Sequence, residues 1–161
     1  MAPQLLIDLG SIDLTKVQIS AEEIEKINPH RGIMRLLDGI LWFNDDGTHA
    51  VAYHDILSDA FWVPGHIPGR PLFPGVLMLE AAAQLASYLT LLRLRNQGIN
   101  ANFLGFVGTD KVKFRGQVVP GDRLYVLGRE IEFRKRRCIC EVQGVVNGNL
   151  VFEAIITGMT M

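Results

Sequence analysis

The stretch from Pro71 to Leu92 constrains this chain most: 22 residues that carry a single charge, Glu80. A run of that length is in the range that a bilayer asks of a spanning helix. Its details argue otherwise. Pro74-Gly75 places the helix start near Pro74, because proline suits a first turn. The stretch from Val76 to Leu92 is short for a span, and it holds Glu80, Gln84, Ser87, Tyr88 and Thr90 as well as apolar residues. A charge near the middle of a bilayer costs about 2.5–3.5 kcal/mol on insertion scales. A helix apolar around most of its girth is otherwise one wrapped by protein, so a long buried helix from about Pro74 to Arg95 is expected and no membrane span.

The rest of the chain supplies the wrapping. At 161 residues, 48% of them hydrophobic and 20% charged, it suits one domain with a sizeable core rather than disorder. Ser20 followed by Glu23 is a capping-box signature for a short helix over about Ala21–Ile27, stopped by Asn28-Pro29. Strands are expected over Met34–Phe43, Thr48–Ile56, Phe103–Phe114, Arg123–Arg134, Arg137–Val146 and Asn149–Thr160. Asp45-Asp46-Gly47 and Asn147-Gly148 mark hairpin turns. Between them, Pro64 to Pro74 holds four of the seven prolines and reads as a stiff connector. Strands clustered after a helix give an α+β class: one long central helix wrapped by a five- to six-stranded antiparallel sheet. The helix has more apolar girth than one sheet covers, and the surplus suggests dimerisation. Residues 1–18 show no strong pattern and read as an N-terminal extension to a single domain over 19–161.

Composition also excludes classes of function. Sixteen Lys+Arg against 17 Asp+Glu, for a formal net charge of −1, argue against wholesale binding of nucleic acid. Cys138 and Cys140, the two cysteines, form no disulfide framework. They lack two further ligands spaced for zinc, and His30, His49 and His54 lack metal spacing. No phosphate loop, dinucleotide fingerprint or Gly-x-Ser-x-Gly elbow occurs. The N-terminus has no basic region and its apolar run is broken at Asp8, so no signal peptide is read and the cytoplasm is the expected compartment.

Three positions could carry chemistry. Glu80 and Gln84 lie one turn apart on a narrow polar stripe, where Gln84 can hydrogen-bond and orient the carboxyl. A buried carboxyl has a raised pKa and can donate a proton at neutral pH; the alternative is a carboxylate satisfied by an arginine or by water. His66 sits in Pro64-Gly65-His66-Ile67-Pro68-Gly69, and rigid placement of a group that titrates near neutrality suits a general base; the alternative is an ordinary loop histidine bonded to a carbonyl. Gly75 opens the long helix, where free N–H groups and the dipole favour developing negative charge; it could equally be a packing glycine. Lys111, Lys113 and Arg115 alternate along one strand, and Arg134-Lys135-Arg136-Arg137 is a basic run at a strand end. Each set is either a solvated surface or a docking patch for an acidic partner.

The block Gly65-His66-Ile67-Pro68-Gly69-Arg70-Pro71-Leu72-Phe73-Pro74-Gly75-Val76-Leu77-Met78-Leu79-Glu80-Ala81-Ala82-Ala83-Gln84 closely resembles the signature of the bacterial 3-hydroxyacyl-[acyl-carrier-protein] dehydratases, the FabZ-like family of the hot dog fold. Glu22 to Arg31, with its Pro29-His30-Arg31 turn, and Lys113-Phe114-Arg115 with Val118-Val119-Pro120-Gly121-Asp122 resemble flanking blocks of that family. The resemblance implies a helix "sausage" in a sheet "bun". It implies a homodimer whose His66 faces Glu80 of the other protomer, and a trimer of such dimers as a higher assembly. It implies dehydration of a (3R)-hydroxyacyl chain on acyl carrier protein, with no metal or redox cofactor. His66 would take the C2 proton, Glu80 would protonate the C3 hydroxyl, and Gly75 N–H would hold the thioester oxygen. The Leu72 carbonyl would fix the His66 tautomer, Val76 N–H would contact the hydroxyl or its water, and Gln84 would orient Glu80. The basic residues would meet the acidic carrier protein. Glu80, where the isomerising relatives have Asp, favours plain dehydration. The chain departs from the family at Gly32-Ile33-Met34-Arg35, Gly39 and Gly116-Gln117, positions that bear on the acyl tunnel, the carrier contact and assembly. The rival readings are a hot dog hydratase or thioesterase acting on acyl-coenzyme A, and a catalytically silent acyl-binding subunit.

Overall fold

A computed structural model describes residues 3–161; Met1 and Ala2, the first two of the expected extension, lie outside the described residues. In chain order the elements are β1 (Ile19–Ser20), α1 (Ala21–Glu25), β2 (Gly39–Phe43), β3 (His49–Asp55), α2 (Gly75–Asn96), β4 (Leu104–Phe114), β5 (Arg123–Arg134), β6 (Arg137–Val146) and β7 (Asn149–Thr160). The strands form one antiparallel sheet in the order β1-β2-β3-β5-β6-β7-β4. The expected α+β architecture is present, with seven strands rather than five or six. The additional strand is β1, two residues paired with Gly39 and Ile40.

Local signals account for most boundaries. Ser20 and Glu23 close a capping box at α1: the Ser20 hydroxyl accepts from Glu23 N–H, and the Glu23 carboxylate accepts from Ser20 N–H. Asn147 and Gly148 turn the β6–β7 hairpin at φ 50° and 78°, the left-handed pair that such a hairpin needs. The expected strand over Met34–Phe43 is shorter, starting at Gly39. Gly32–Met34 forms a 3-10 turn with Gly32 at φ 59°, and the Met34 carbonyl and Leu36 N–H are bonded to the Gln84 side chain. Backbone groups held by a side chain are lost to a strand ladder.

The long helix α2 lies across one face of the sheet. Met78, Ala81, Ala82, Leu85, Ala86 and Leu89 are buried against Ala50, Leu124, Val126, Val142, Phe152 and Ile156. The helix comes close to β5 at Gly128, where a Cβ would sit 3.1 Å from a Leu85 methyl. Length and apolarity alone would let α2 cross a membrane, yet most of it is buried inside the chain.

The other face of the sheet is covered too. Leu41, Val51, Leu127 and Val145 are buried beneath Ile7, with Leu5, Leu6, Leu9, Ile12 and Leu14 packed around them. Gln143 fastens this strap: its Oε1 accepts from Leu6 N–H at 2.8 Å and its Nε2 donates to the Gln4 carbonyl at 3.0 Å. The residues read as a patternless extension therefore form an apolar cover. What stays open is the β4 edge, where Phe106, Val107 and Phe114 remain 44–50% exposed.

Candidate active site

The connector before α2 holds His66 rigidly. Trp62 and Phe73 are buried and meet edge to face at 5.5 Å between ring centroids, pinning both ends of the loop. The Trp62 carbonyl accepts from His66 N–H at 2.8 Å, and the His66 carbonyl accepts from Leu72 N–H at 2.8 Å. The imidazole is exposed, with Nδ1 2.8 Å from the Leu72 carbonyl oxygen. A carbonyl only accepts, so Nδ1 carries the hydrogen and Nε2 keeps its lone pair.

The N-terminus of α2 is open. Pro74 gives no side-chain cap, and the N–H groups of Gly75 and Val76 have no acceptor among the described residues. Two unpaired N–H groups at the positive end of a 22-residue helix suit an oxygen that gains charge. Glycine at 75 lets the Phe114 ring close in on the helix start: a Cβ there would lie 2.9 Å from the ring, which would have to move.

Glu80 lies on the far side of the first turns, its side chain 29% exposed. That is less burial than the sequence suggested, because β4 and the 28–36 segment cover one side of the carboxyl and nothing among the described residues covers the other. Oε1 accepts from Gln84 Nε2 at 2.9 Å. Gln84 is almost fully buried and fully engaged: Nε2 also donates to the Met34 carbonyl at 2.7 Å, and Oε1 accepts from Leu36 N–H at 2.9 Å. Those partners fix which amide end faces Glu80. The same seam continues through Asn28, whose Nδ2 donates to the Gln84 carbonyl at 2.8 Å and whose Oδ1 accepts from Ser87 Oγ at 3.0 Å. Tyr88, one turn beyond Gln84, is buried in the core, and burial raises its phenol pKa.

A histidine not picked out by sequence reasoning completes this surround. His30 Nε2 lies 3.7 Å from Glu80 Oε1. Burial lowers the pKa of its imidazole, against the opposing pull of Glu80, and Arg31 lowers it further. Nothing in one sequence links positions 30 and 80. Both line a cavity of about 220 Å³ with Ser87, Phe103, Phe106 and Gly158. His66 does not line it, and no hydrogen bond or ion pair joins His66 to Glu80 among the described residues. A larger cavity of about 470 Å³ lies between the N-terminal strap and strands β4 to β7, lined by Lys111, Arg115, Arg129, Glu141 and Glu153. It contains none of His66, Gly75 or Glu80.

The basic residues fall into two separate groups. Lys111, Lys113 and Arg115 lie at the end of β4 that packs on Gly75, with Arg115 paired to Glu153 at 2.9 Å. Arg134, Lys135, Arg136 and Arg137 form the β5–β6 hairpin tip, beside the start of β4, and Glu132 pairs with Arg134 and Arg137. At about 3.3 Å per residue the two groups are roughly 25 Å apart along β4. Cys138 and Cys140 point to one buried face of β6. Their proximity lowers the Cys138 thiol and, with burial, pushes Cys140 up. Among the described residues no cluster of three or more His, Cys, Asp or Glu side chains is gathered for a metal.

Solved structures share this fold at low identity. A dehydratase heterocomplex from Xenorhabdus doucetiae matches with TM-score 0.73 and 14% identity, over 86% of this chain and 90% of that one. A mutant thioesterase from Pseudomonas aeruginosa matches with TM-score 0.65 and 15% identity, over 92% and 99%. Sequence relatives are closer. A 3-hydroxyacyl-[acyl-carrier-protein] dehydratase FabZ from Streptococcus uberis is 36% identical over 139 residues, 86% of this chain and 96% of the relative. The protein of the same name from Streptococcus pyogenes serotype M1 is 38% identical over 135 residues, 84% and 94%. The sequence model of the FabA-like domain matches residues 28–155, which takes in the His66 loop, the open end of α2 and the Glu80 seam. The chain therefore belongs to the FabA-like family, and within it to the FabZ-like 3-hydroxyacyl-[acyl-carrier-protein] dehydratases.

Proposed function

We propose that this protein converts (3R)-3-hydroxyacyl-[acyl-carrier-protein] to the trans-2-enoyl thioester and water, as a cytoplasmic step of fatty acid biosynthesis. The observation that carries the reading is the His66 ring, held by the Leu72 carbonyl in the tautomer whose Nε2 can accept a proton. His66 Nε2 removes the C2 proton, while the thioester oxygen gains charge against Gly75 N–H. The C3–O bond then breaks as Glu80 delivers its proton, and the hydroxyl leaves as water. Val76 N–H contacts that hydroxyl or its water, and Gln84 orients Glu80. Eliminating water transfers no net electrons, so the reaction calls for no redox cofactor.

His66 and Glu80 do not meet within one chain, which supports a site assembled from two. The exposed Phe106, Val107 and Phe114 on the long edge strand β4 suit a second copy, because such an edge invites pairing. The homodimer places His66 of one protomer against Glu80 of the other, and a trimer of dimers is the higher assembly. Residues 19–161 form the dehydratase domain, with 1–18 as its extension. For the acidic carrier protein, Lys111, Lys113 and Arg115 lie beside the Gly75 end, and Arg134 to Arg137 offer a second patch.

The test monitors enoyl absorbance in both directions with 3-hydroxyacyl and enoyl thioesters on carrier protein and on coenzyme A. The wild type should interconvert them, with a preference for carrier protein, and His66→Ala and Glu80→Gln should each lose at least about a hundredfold. A wild type that interconverts neither, or variants at full rate, would overturn the mechanism. Release of free thiol without dehydration would identify a thioesterase.

A further inference from the structure

The Glu80 carboxyl has two oxygens, and the chain treats them differently. Oε1 faces two nitrogens: Gln84 Nε2 at 2.9 Å and His30 Nε2 at 3.7 Å. No protein group is bonded to Oε2 among the described residues. His30 reaches this place by construction. Asn28 is 2% exposed and bonded to the Gln84 carbonyl and to Ser87, so the turn that carries His30 is fastened to α2. The Arg31 guanidinium folds back on the carbonyls of Glu25, Asn28 and His30, each at 2.8 Å, which holds the turn together.

The imidazole's own hydrogen-bond inventory sets its orientation. His30 Nδ1 is buried and has no partner among the described residues. A hydrogen on Nδ1 would be an orphaned buried donor, whereas a bare Nδ1 is a milder unfilled acceptor. The neutral ring therefore carries its hydrogen on Nε2, the nitrogen 3.7 Å from Oε1. An imidazolium would keep the Nδ1–H orphan and is disfavoured for the same reason.

We propose that His30 is a positioning residue for Glu80: its Nε2–H lies 3.7 Å from the same Oε1 that Gln84 bonds, and that positive edge keeps the carboxyl proton on Oε2, from which it is delivered to the substrate hydroxyl. This rests on the reading of Glu80 as the acid. The charged groups around His30 are Glu80 from α2 and Arg31 from its own turn; Phe103 just before β4, Phe106 of β4 and Gly158 of β7 also face it and do not titrate. In the proposed dimer His66 of the second copy joins them. Without the His30 donor either oxygen of Glu80 can hold the proton, and the carboxyl turns more freely about its last bond. The loss then falls on the chemical step rather than on thioester binding.

Two measurements test this on the full chain. Nitrogen-15 imidazole spectra should show neutral His30 as the Nε2–H tautomer. A neutral Nδ1–H form would overturn the assignment. In kinetics with carrier-protein substrate, His30→Ala should lose about tenfold in kcat with KM near wild type, and His30→Gln, which restores an N–H donor, should recover most of it. Full kcat in folded His30→Ala, or no recovery in folded His30→Gln, would overturn it. Glu80→Gln separates the two readings. If that variant retains full rate, the acid role of Glu80 fails and this proposal with it. If it is inactive while the His30 variants run at full rate, only the His30 assignment fails.

Discussion

Replacing Gln84 by leucine, close to it in volume, should destabilise the protein by about 2–4 kcal/mol while leaving little cavity. Three bonds depend on the amide: Leu36 N–H to Oε1, and Nε2 to the Met34 carbonyl and to Glu80. They are not equal. Leu36 is 3% exposed, so its N–H has no route to water once the acceptor is gone, and that loss alone costs about 1–3 kcal/mol. Met34 is 44% exposed and its carbonyl can turn to solvent, so its share is nearer about 0.5–1 kcal/mol. The Glu80 bond is at the edge of the cavity, where water can replace it, and adds little. With a urea slope of about 2 kcal/mol per molar, the unfolding midpoint should fall by about 1–2 M. Urea titration at one fixed protomer concentration reads this directly, since any association adds to apparent stability. Gln84→Glu is the discriminating partner: it keeps an acceptor for Leu36 N–H but loses both donors and sets a second carboxylate beside Glu80. A midpoint drop below about 0.5 M for Gln84→Leu would show that the seam does not hold the 28–36 segment, and the account of why β2 starts at Gly39 would fall with it.

Further outcomes can be measured. Gly75→Ala should cost little stability, because the Phe114 ring it meets at 2.9 Å is 50% exposed and can swing aside; the same shift at the open helix end should lower kcat about tenfold or more in the absorbance assay. Ile7→Ser should lower stability by about 2–4 kcal/mol in urea, since Ile7 is the buried centre of the outer cover; no change would mean the strap is not seated in solution. Asp38 should make stability fall in acid. Burial alone would raise its pKa, but bonds from the His54 ring and Asp55 N–H outweigh that and leave it below 3.8. A lowered folded pKa adds stability above the unfolded value and loses it as pH falls through the folded one. The Asp38→Asn penalty should therefore be full at neutral pH and shrink below about pH 4, and a penalty independent of pH would refute the link.

Regular elements were legible because their signals are local. The Ser20–Glu23 cap, the Asn147-Gly148 turn and the proline-rich connector each act within a few residues, and each stands where the sequence puts it. The helix α2 runs Gly75–Asn96 against an expected start near Pro74 and end near Arg95, one residue's difference at each end. The outer strap was not legible. Leu5, Leu6, Ile7, Leu9, Ile12 and Leu14 follow no period, because the segment is irregular apart from one 3-10 turn at Leu9–Ser11 and meets the sheet with whatever side chain faces it. His30 was missed for a different reason: it matters only through Glu80, and tertiary folding alone makes that pair.

The failed strand at 34–38 and the lone charge in the apolar stretch have one cause. A helix that carries Glu80, Gln84 and Ser87 on one stripe cannot bury that stripe against a sheet, whose ladder bonds are already spent within it. It needs a segment with free backbone groups and small polar side chains. Residues 28–36 supply these: Asn28 for Ser87 and the helix backbone, Met34 and Leu36 for Gln84, His30 for Glu80. To do so Met34 to Leu36 give up the extended conformation expected of the start of the apolar run Met34–Phe43. Packing the apolar girth fixes where the helix lies, and satisfying its polar stripe fixes where 28–36 lies. Only the second constraint brings an imidazole to the carboxyl. That satisfaction stops at Oε1, so the atom of this carboxyl left without a partner among the described residues is the oxygen facing the space that substrate and second protomer would fill.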